Sequence, residues 1–215
     1  GNKLIIKNSP DFETRSSYSI TLKTTDNYEQ SSPVSTKILY VNDIDESITT
    51  QSSITSKEIQ QQYIAFTGRP ARKEEIDYWI NNQGISSTLE LAREISKEGS
   101  YSNESVADQV NALYVNLFGR GADAGGLIYW TNNISQGVLT LGDLSHDLIY
   151  AAENPVTEID AQTALDLLAL QKRTAAAELF TENVEAGGFI LDYDNEAAFE
   201  VARSFISTIK ADSEF

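Results

Sequence analysis

The feature that most restricts what this chain can fold into is a self-similarity at a spacing of 51 residues. Tyr63-Ile64-Ala65-Phe66-Thr67-Gly68-Arg69 aligns with Tyr114-Val115-Asn116-Leu117-Phe118-Gly119-Arg120. Ten residues after each arginine stands a tryptophan, in Tyr78-Trp79-Ile80-Asn81-Asn82 and again in Tyr129-Trp130-Thr131-Asn132-Asn133. Gly84-Ile85 and Gly137-Val138 come next, then Thr88-Leu89 and Thr140-Leu141, with the spacing drifting by one or two positions. Each unit reads as helix, Gly-Arg turn, helix, glycine turn, helix. One such unit cannot cover its own apolar stripe, so the two are expected to stack on each other and on the helical residues C-terminal to them.

The repeat also supplies the candidate binding residues: Tyr78, Trp79, Tyr129, Trp130, Arg69 and Arg120. The Tyr-Trp pairs have two readings. Tryptophans at helical spacing serve as core anchors, each burying a large face with its indole N–H capping a nearby carbonyl, or they serve as platforms for stacking sugars. Helical spacing favours the core. The arginines are expected to reach the C-terminal carbonyls of the helices they follow, or to pair with a carboxylate. A glycan or phosphate contact is the less favoured use.

The period of the apolar pattern divides the chain. Residues 1–46 read as strands: Leu4-Ile5-Ile6 is a short apolar run, and Tyr18 to Lys23 and Val34 to Val41 alternate with period two. Asn8-Ser9-Pro10 and the stretch from Asp26 to Pro33 supply turns. Residues 47–54 form a polar connector, and from 55 to 215 the period is helical. Helices are expected near 56–67, 71–83, 88–98, 104–118, 124–136, 141–152, 158–184 and 195–210. Thr55 with Glu58, Ser87 with Glu90 and Thr140 with Asp143 fit capping boxes. Gly68, Gly84, Gly99, Gly119 and Gly137 stand where helices should stop. In the acidic cluster Asp192-Tyr193-Asp194-Asn195-Glu196, Asp194 is read as the cap of the last helix. The expected fold is therefore mainly α: a multi-helix domain with an internal duplication, preceded by a short antiparallel β segment.

The formal net charge is −16, with 32 acidic against 16 basic side chains. Such a surface repels a phosphate backbone, which argues against nucleic acid and anionic lipid as partners. Excess carboxylate is easiest to hold beside divalent cations, and calcium is the expected cofactor. Asp11, Glu13, Asp43, Asp45 and Glu46 are the candidate ligands, because a strand ending in an acidic linker lies near the preceding turn. There is no cysteine or methionine, so disulfides and zinc–thiolate sites are excluded. A chain without oxidisable sulfur suits an extracellular, cell-surface life. No run approaches a membrane span, and the start at Gly1 reads as that of a fragment.

On these residues the chain resembles known families. The double Gly-Arg…Tyr-Trp unit, over roughly 57–152, resembles a bacterial helical domain of unknown function found in S-layer proteins and RTX-type adhesins exported by type I secretion. Residues 157–210 are similar to the last helices of the anchoring domain of Gram-negative S-layer proteins. That likeness implies attachment to lipopolysaccharide, with calcium supporting assembly. Pro10-Asp11-Phe12-Glu13, the strand from Tyr18 to Asp26 and Asp43-Ile44-Asp45-Glu46 look like the closing half of a cadherin-like repeat. This second resemblance implies a partial cadherin-like sandwich with a calcium site.

Enzymatic signals are thin. His146 is the single histidine, near Asp143 and Asp147, and no nucleophile elbow, phosphate loop or histidine-rich metal site accompanies it. The sequence thus points to a non-enzymatic module of a secreted surface protein, an S-layer component or adhesin attached to polysaccharide with calcium. The alternative is a structural protomer that self-assembles into a layer or filament. A homo-oligomer or lattice is expected on either reading.

Overall fold

A computed structural model of the chain describes residues 17–22, 35–40, 54–81, 84–98, 104–155, 160–187 and 193–213. The chain divides into two compact units, Gly1–Thr50 and Gln51–Phe215, and the division falls inside the polar stretch 47–54. In the first unit β1 (Ser17–Leu22) pairs antiparallel with β2 (Ser35–Tyr40), Ser17 opposite Tyr40 and Leu22 opposite Ser35. This two-stranded ribbon is all the sheet among the described residues. The expectation of a partial cadherin-like sandwich is therefore corrected. A sandwich needs two sheets packed face to face, and one ribbon is a single layer. The run Leu4-Ile5-Ile6, read as a further strand, lies outside the described residues.

The second unit is helical: α1 (Ser56–Thr67), α2 (Lys73–Asn81), α3 (Thr88–Glu98), α4 (Val106–Phe118), α5 (Ala124–Ser135), α6 (Leu141–Glu153), α7 (Ala161–Glu185) and α8 (Glu196–Thr208). Local chemistry sets their ends. The Thr55 hydroxyl accepts from the Glu58 amide while the Glu58 carboxylate accepts from Thr55, and Thr140 with Asp143 repeats the box. At α3 the box is skewed: Ser87 Oγ accepts from the Glu90 amide, but the Glu90 carboxylate reaches back to Ser86. The last helix is capped by Asn195, which accepts from the Ala198 amide, and not by Asp194. Gly68 and Gly119 end α1 and α4 in the left-handed conformation, at φ 68 and 73, which a Cβ would strain.

Equivalent helices of the two copies lie side by side. The Asn116 side-chain amide donates to the Ala65 carbonyl at 2.9 Å, and these two positions are 51 apart, the repeat spacing itself. The third helices also meet, at Gly142 on α6. A Cβ built there would sit 2.6 Å from Arg93 Cα of α3. These contacts join each helix to its own counterpart, α1 to α4 and α3 to α6. The two copies share a single core in which Ile59, Leu91, Leu113, Leu117, Leu144 and Leu170 are almost fully buried. Each such side chain contributes roughly 1.5–3 kcal/mol on removal from water. α7 crosses the back of both copies, and α8 packs on α7 through Ile206 and Ile209.

Candidate functional site

Each copy builds the same local device. In the first, the Trp79 indole N–H donates to the Tyr63 hydroxyl at 3.1 Å, and the Arg69 guanidinium lies 5.4 Å from the Tyr63 ring centroid. In the second, the half-buried Trp130 packs on the core that holds Tyr114 and offsets part of the rise that burial gives the Tyr114 phenol, and Arg120 lies 5.4 Å from the Tyr114 ring centroid. The backbone after each arginine is held alike. Gln60 Oε1 accepts from the Ala71 amide at 2.8 Å, and Asn111 Oδ1 accepts from the Ala122 amide at 3.1 Å. Arg69 donates to the Pro70 carbonyl and Arg120 to the Gly121 carbonyl. Each amide spans the Gly-Arg turn and fixes the start of the next helix, which in turn delivers the Tyr-Trp pair.

The tyrosine before each tryptophan points outward. Tyr78 and Tyr129 are 58% and 56% exposed, while Trp79 is 3% exposed and Trp130 is half-buried. Within each pair the rings meet edge to face, with centroids 4.9 Å apart at 78° and 5.1 Å apart at 81°. The indoles thus act as core anchors, and what they brace on the surface is a phenol. Each tyrosine face is open, rigid and backed by an aromatic edge, an arrangement suited to stacking on a flat apolar surface.

The arginines pair with carboxylates, the second of the two expected uses. Arg69 grips Glu75 with both terminal nitrogens, at 2.8 and 2.9 Å. Burial works against both charges, yet the pairing overrides it, lowering the Glu75 carboxyl and raising Arg69. Position 126, the counterpart of Glu75, is glycine, so Arg120 turns instead to Asp166 of α7. The pairing raises the Arg120 guanidinium, chiefly through its hydrogen bond to Asp166. The copies also differ in cover. Phe199 of α8 lies 4.2 Å from the Arg69 guanidinium, and the Tyr193 hydroxyl donates to the Pro70 carbonyl at 2.7 Å. Burial pushes the Tyr193 phenol up to about 12. Arg120 and Gly121 stay more exposed than Arg69 and Pro70.

Helix carbonyls are reached by an arginine the sequence reading did not single out. Arg173 of α7 donates to the Val115 and Asn116 carbonyls at the end of α4, and to the Ile209 carbonyl at the end of α8. Burial pulls it down to about 10, and carbonyls at helix C-termini keep it charged at neutral pH. Its guanidinium fills the space beside Gly119, where a Cβ would lie 2.9 Å from a terminal nitrogen. The Gln60 and Asn111 braces and Gly142 were missed as well. Continuing the 51-residue alignment in both directions exposes the amide pair, but nothing in the sequence marks Gly142 or Arg173.

The calcium candidates Asp11, Glu13, Asp43, Asp45 and Glu46 lie outside the described residues. Among the described residues no group of three or more histidines and carboxylates is placed to hold a metal ion. His146 stacks on Tyr150 with ring centroids 6.0 Å apart, and its Nδ1 lies 3.2 Å from an Asp147 oxygen. Asp143, its other acidic neighbour in sequence, is occupied by Thr140 and Arg93.

Residues 87–156 match a family described as a domain of unknown function (DUF4214). The matched stretch spans α3 to α6, so it contains the second Gly-Arg turn and its Tyr129-Trp130 pair but not the first. No curated protein and no solved structure matches the chain. No described helix is long and apolar enough to cross a membrane.

Proposed function

We propose that this chain is a non-enzymatic module of a secreted bacterial surface protein, and that its helical unit binds cell-surface polysaccharide through Tyr78 and Tyr129. The observation that supports the reading is the duplicated, half-exposed tyrosine braced edge-on by an anchored tryptophan. Sugars present apolar C–H faces that stack on phenol rings, and two platforms on one scaffold multiply a weak contact. Lipopolysaccharide is the polysaccharide that the resemblance to S-layer anchoring domains suggests. Binding of purified lipopolysaccharide, followed by surface plasmon resonance, tests it. The wild-type chain binds, and Tyr78→Ser with Tyr129→Ser abolishes binding while leaving the helical circular dichroism unchanged. Equal binding by the double variant removes the tyrosines from the account.

Calcium belongs to this proposal as a ligand of the first unit, through Asp11, Glu13, Asp43, Asp45 and Glu46. The acid excess of the chain supports it. Calcium that binds only the folded form raises its melting temperature, and chelator lowers it. An identical melt in both conditions removes calcium from the reading.

A second reading, self-assembly into a layer or filament, is favoured by the outer side of α7, where Leu165, Leu168 and Leu179 are exposed. Sedimentation velocity separates the two: a concentration-dependent oligomer that Leu165→Glu and Leu168→Glu dissolve supports assembly, and a monomer at all concentrations opposes it.

A further inference from the structure

A groove of 680 Å³ runs between α2 and α7, on residues that neither proposed reading uses. Its walls are two helix faces. α2 contributes Lys73, Ile76, Asp77 and Ile80, and α7 contributes Glu178, Thr181, Glu182 and Glu185. Both sets have the spacing i, i+3, i+4, i+7, so each wall is one continuous helical stripe. Ser56 and Gln60 of α1 close the inner end.

The chemistry of the two walls differs. On α2, Lys73 is paired with Asp77 one turn along, so its charges cancel, and the half-exposed Ile80, seated over the buried Ile76, makes that wall apolar. On α7, three glutamates stand in one line, and none of Glu178, Glu182 and Glu185 has an ion pair among the described residues. Glu178 is pushed up by burial and then by the neighbouring Glu182, and Lys57 offsets only part of that rise. Polar groups at the base are satisfied internally: Gln60 Nε2 donates to Thr181 Oγ1 at 2.9 Å, and Thr181 donates to the Ala71 carbonyl at 2.7 Å.

We propose that this groove is a docking site for a basic amphipathic helix of another polypeptide. The incoming helix lays its apolar stripe on Ile80 and its lysines or arginines along Glu178, Glu182 and Glu185. Two helical walls flanking a groove can receive a third helix, and a single-sign wall beside an apolar one fixes which way that helix faces. The charge row selects a basic partner, while Ile80 demands that its charges be carried on one side only. The site is independent of the polysaccharide reading, because Tyr78 and Tyr129 do not line it.

Fluorescence anisotropy with a dye-labelled synthetic helix of roughly four turns tests this on the full chain. The probe carries leucines at i, i+3, i+4, i+7 and lysines on the flanking face. It binds, and the affinity falls as salt is raised. Glu182→Gln and Glu185→Gln each weaken binding by about threefold. Ile80→Ser weakens it by about fivefold, and since Ile80 is already 48% exposed the fold is kept. A probe with glutamates in place of the lysines does not bind. The proposal is overturned if the basic probe fails to bind. It is equally overturned if a scrambled probe of the same composition binds as tightly and Ile80→Ser changes nothing, because that is polycation adsorption to an acidic surface.

Discussion

Replacing Arg69 and Arg120 by alanine, one at a time, makes one chemical change at two positions that the duplication treats as equivalent and the packing does not. The Arg69 and Glu75 side chains are 9% and 14% exposed, and Arg69 also lies 4.2 Å from the Phe199 ring. Without it, the buried Glu75 carboxylate keeps only the partly exposed Arg72, at 3.2 Å, as an ionic partner. Removing one member of a buried pair costs about 3–5 kcal/mol, because a desolvated charge is left behind. The Arg120 side chain is 29% exposed, and Asp166 retains a hydrogen bond from Gln162 at 2.8 Å when it is lost. That substitution costs about 1–2 kcal/mol. A difference of about 2–3 kcal/mol separates the urea midpoints by roughly 1 M. Both tryptophans stand in the helical unit, so their fluorescence reports its unfolding directly. Equal midpoints for the two variants, or a larger loss for Arg120→Ala, refute the claim that α8 covers only the first copy.

Two further expectations concern packing and acid. Gly142→Ala improves helix propensity, but its methyl group would lie 2.6 Å from Arg93 Cα, so α3 and α6 must separate. Calorimetry should record a net destabilisation of about 1–3 kcal/mol, and a neutral or stabilising result contradicts the close approach. Glu75 has a folded pKa below its unfolded value, so its stabilising contribution is complete above the ordinary carboxylate range, about 4.3, and is lost as pH falls through the lowered value. The melting temperature should therefore drop between about pH 5 and pH 3, and less steeply in Glu75→Gln; parallel slopes count against the pairing.

The helical part of the fold was legible because it rests on local signals. Capping boxes at Thr55 and Thr140 and glycine stops at Gly68 and Gly119 are written in adjacent residues, and helix ends fell within a few positions of them. α2 starts at Lys73, later than expected, because Pro70 and Ala71 are taken up by the turn that Gln60 and Tyr193 hold. The arrangement of the copies was not legible. A repeat spacing says that two units meet but not through which helices, and here α3 meets α6 at Gly142 while α1 meets α4 through the Asn116 bond to Ala65. For the candidate site, the sequence marked the Tyr-Trp pairs but not the division of labour within them. Neighbouring helical residues lie about 100° apart, so one of the two must face away from the core. The choice of tryptophan as the inner residue depends on Tyr63 and Tyr114 being in reach of the indole.

The duplication itself is open to direct test in a nitrogen–proton correlation spectrum, since the chain has only two tryptophans and therefore two indole signals. Tyr63→Phe should move the Trp79 indole resonance and leave that of Trp130 in place, and Tyr114→Phe should do the reverse. Two such reciprocal shifts are the outcome expected of one device built twice. If either phenylalanine leaves its own tryptophan unmoved, the two copies do not share a construction and the account fails.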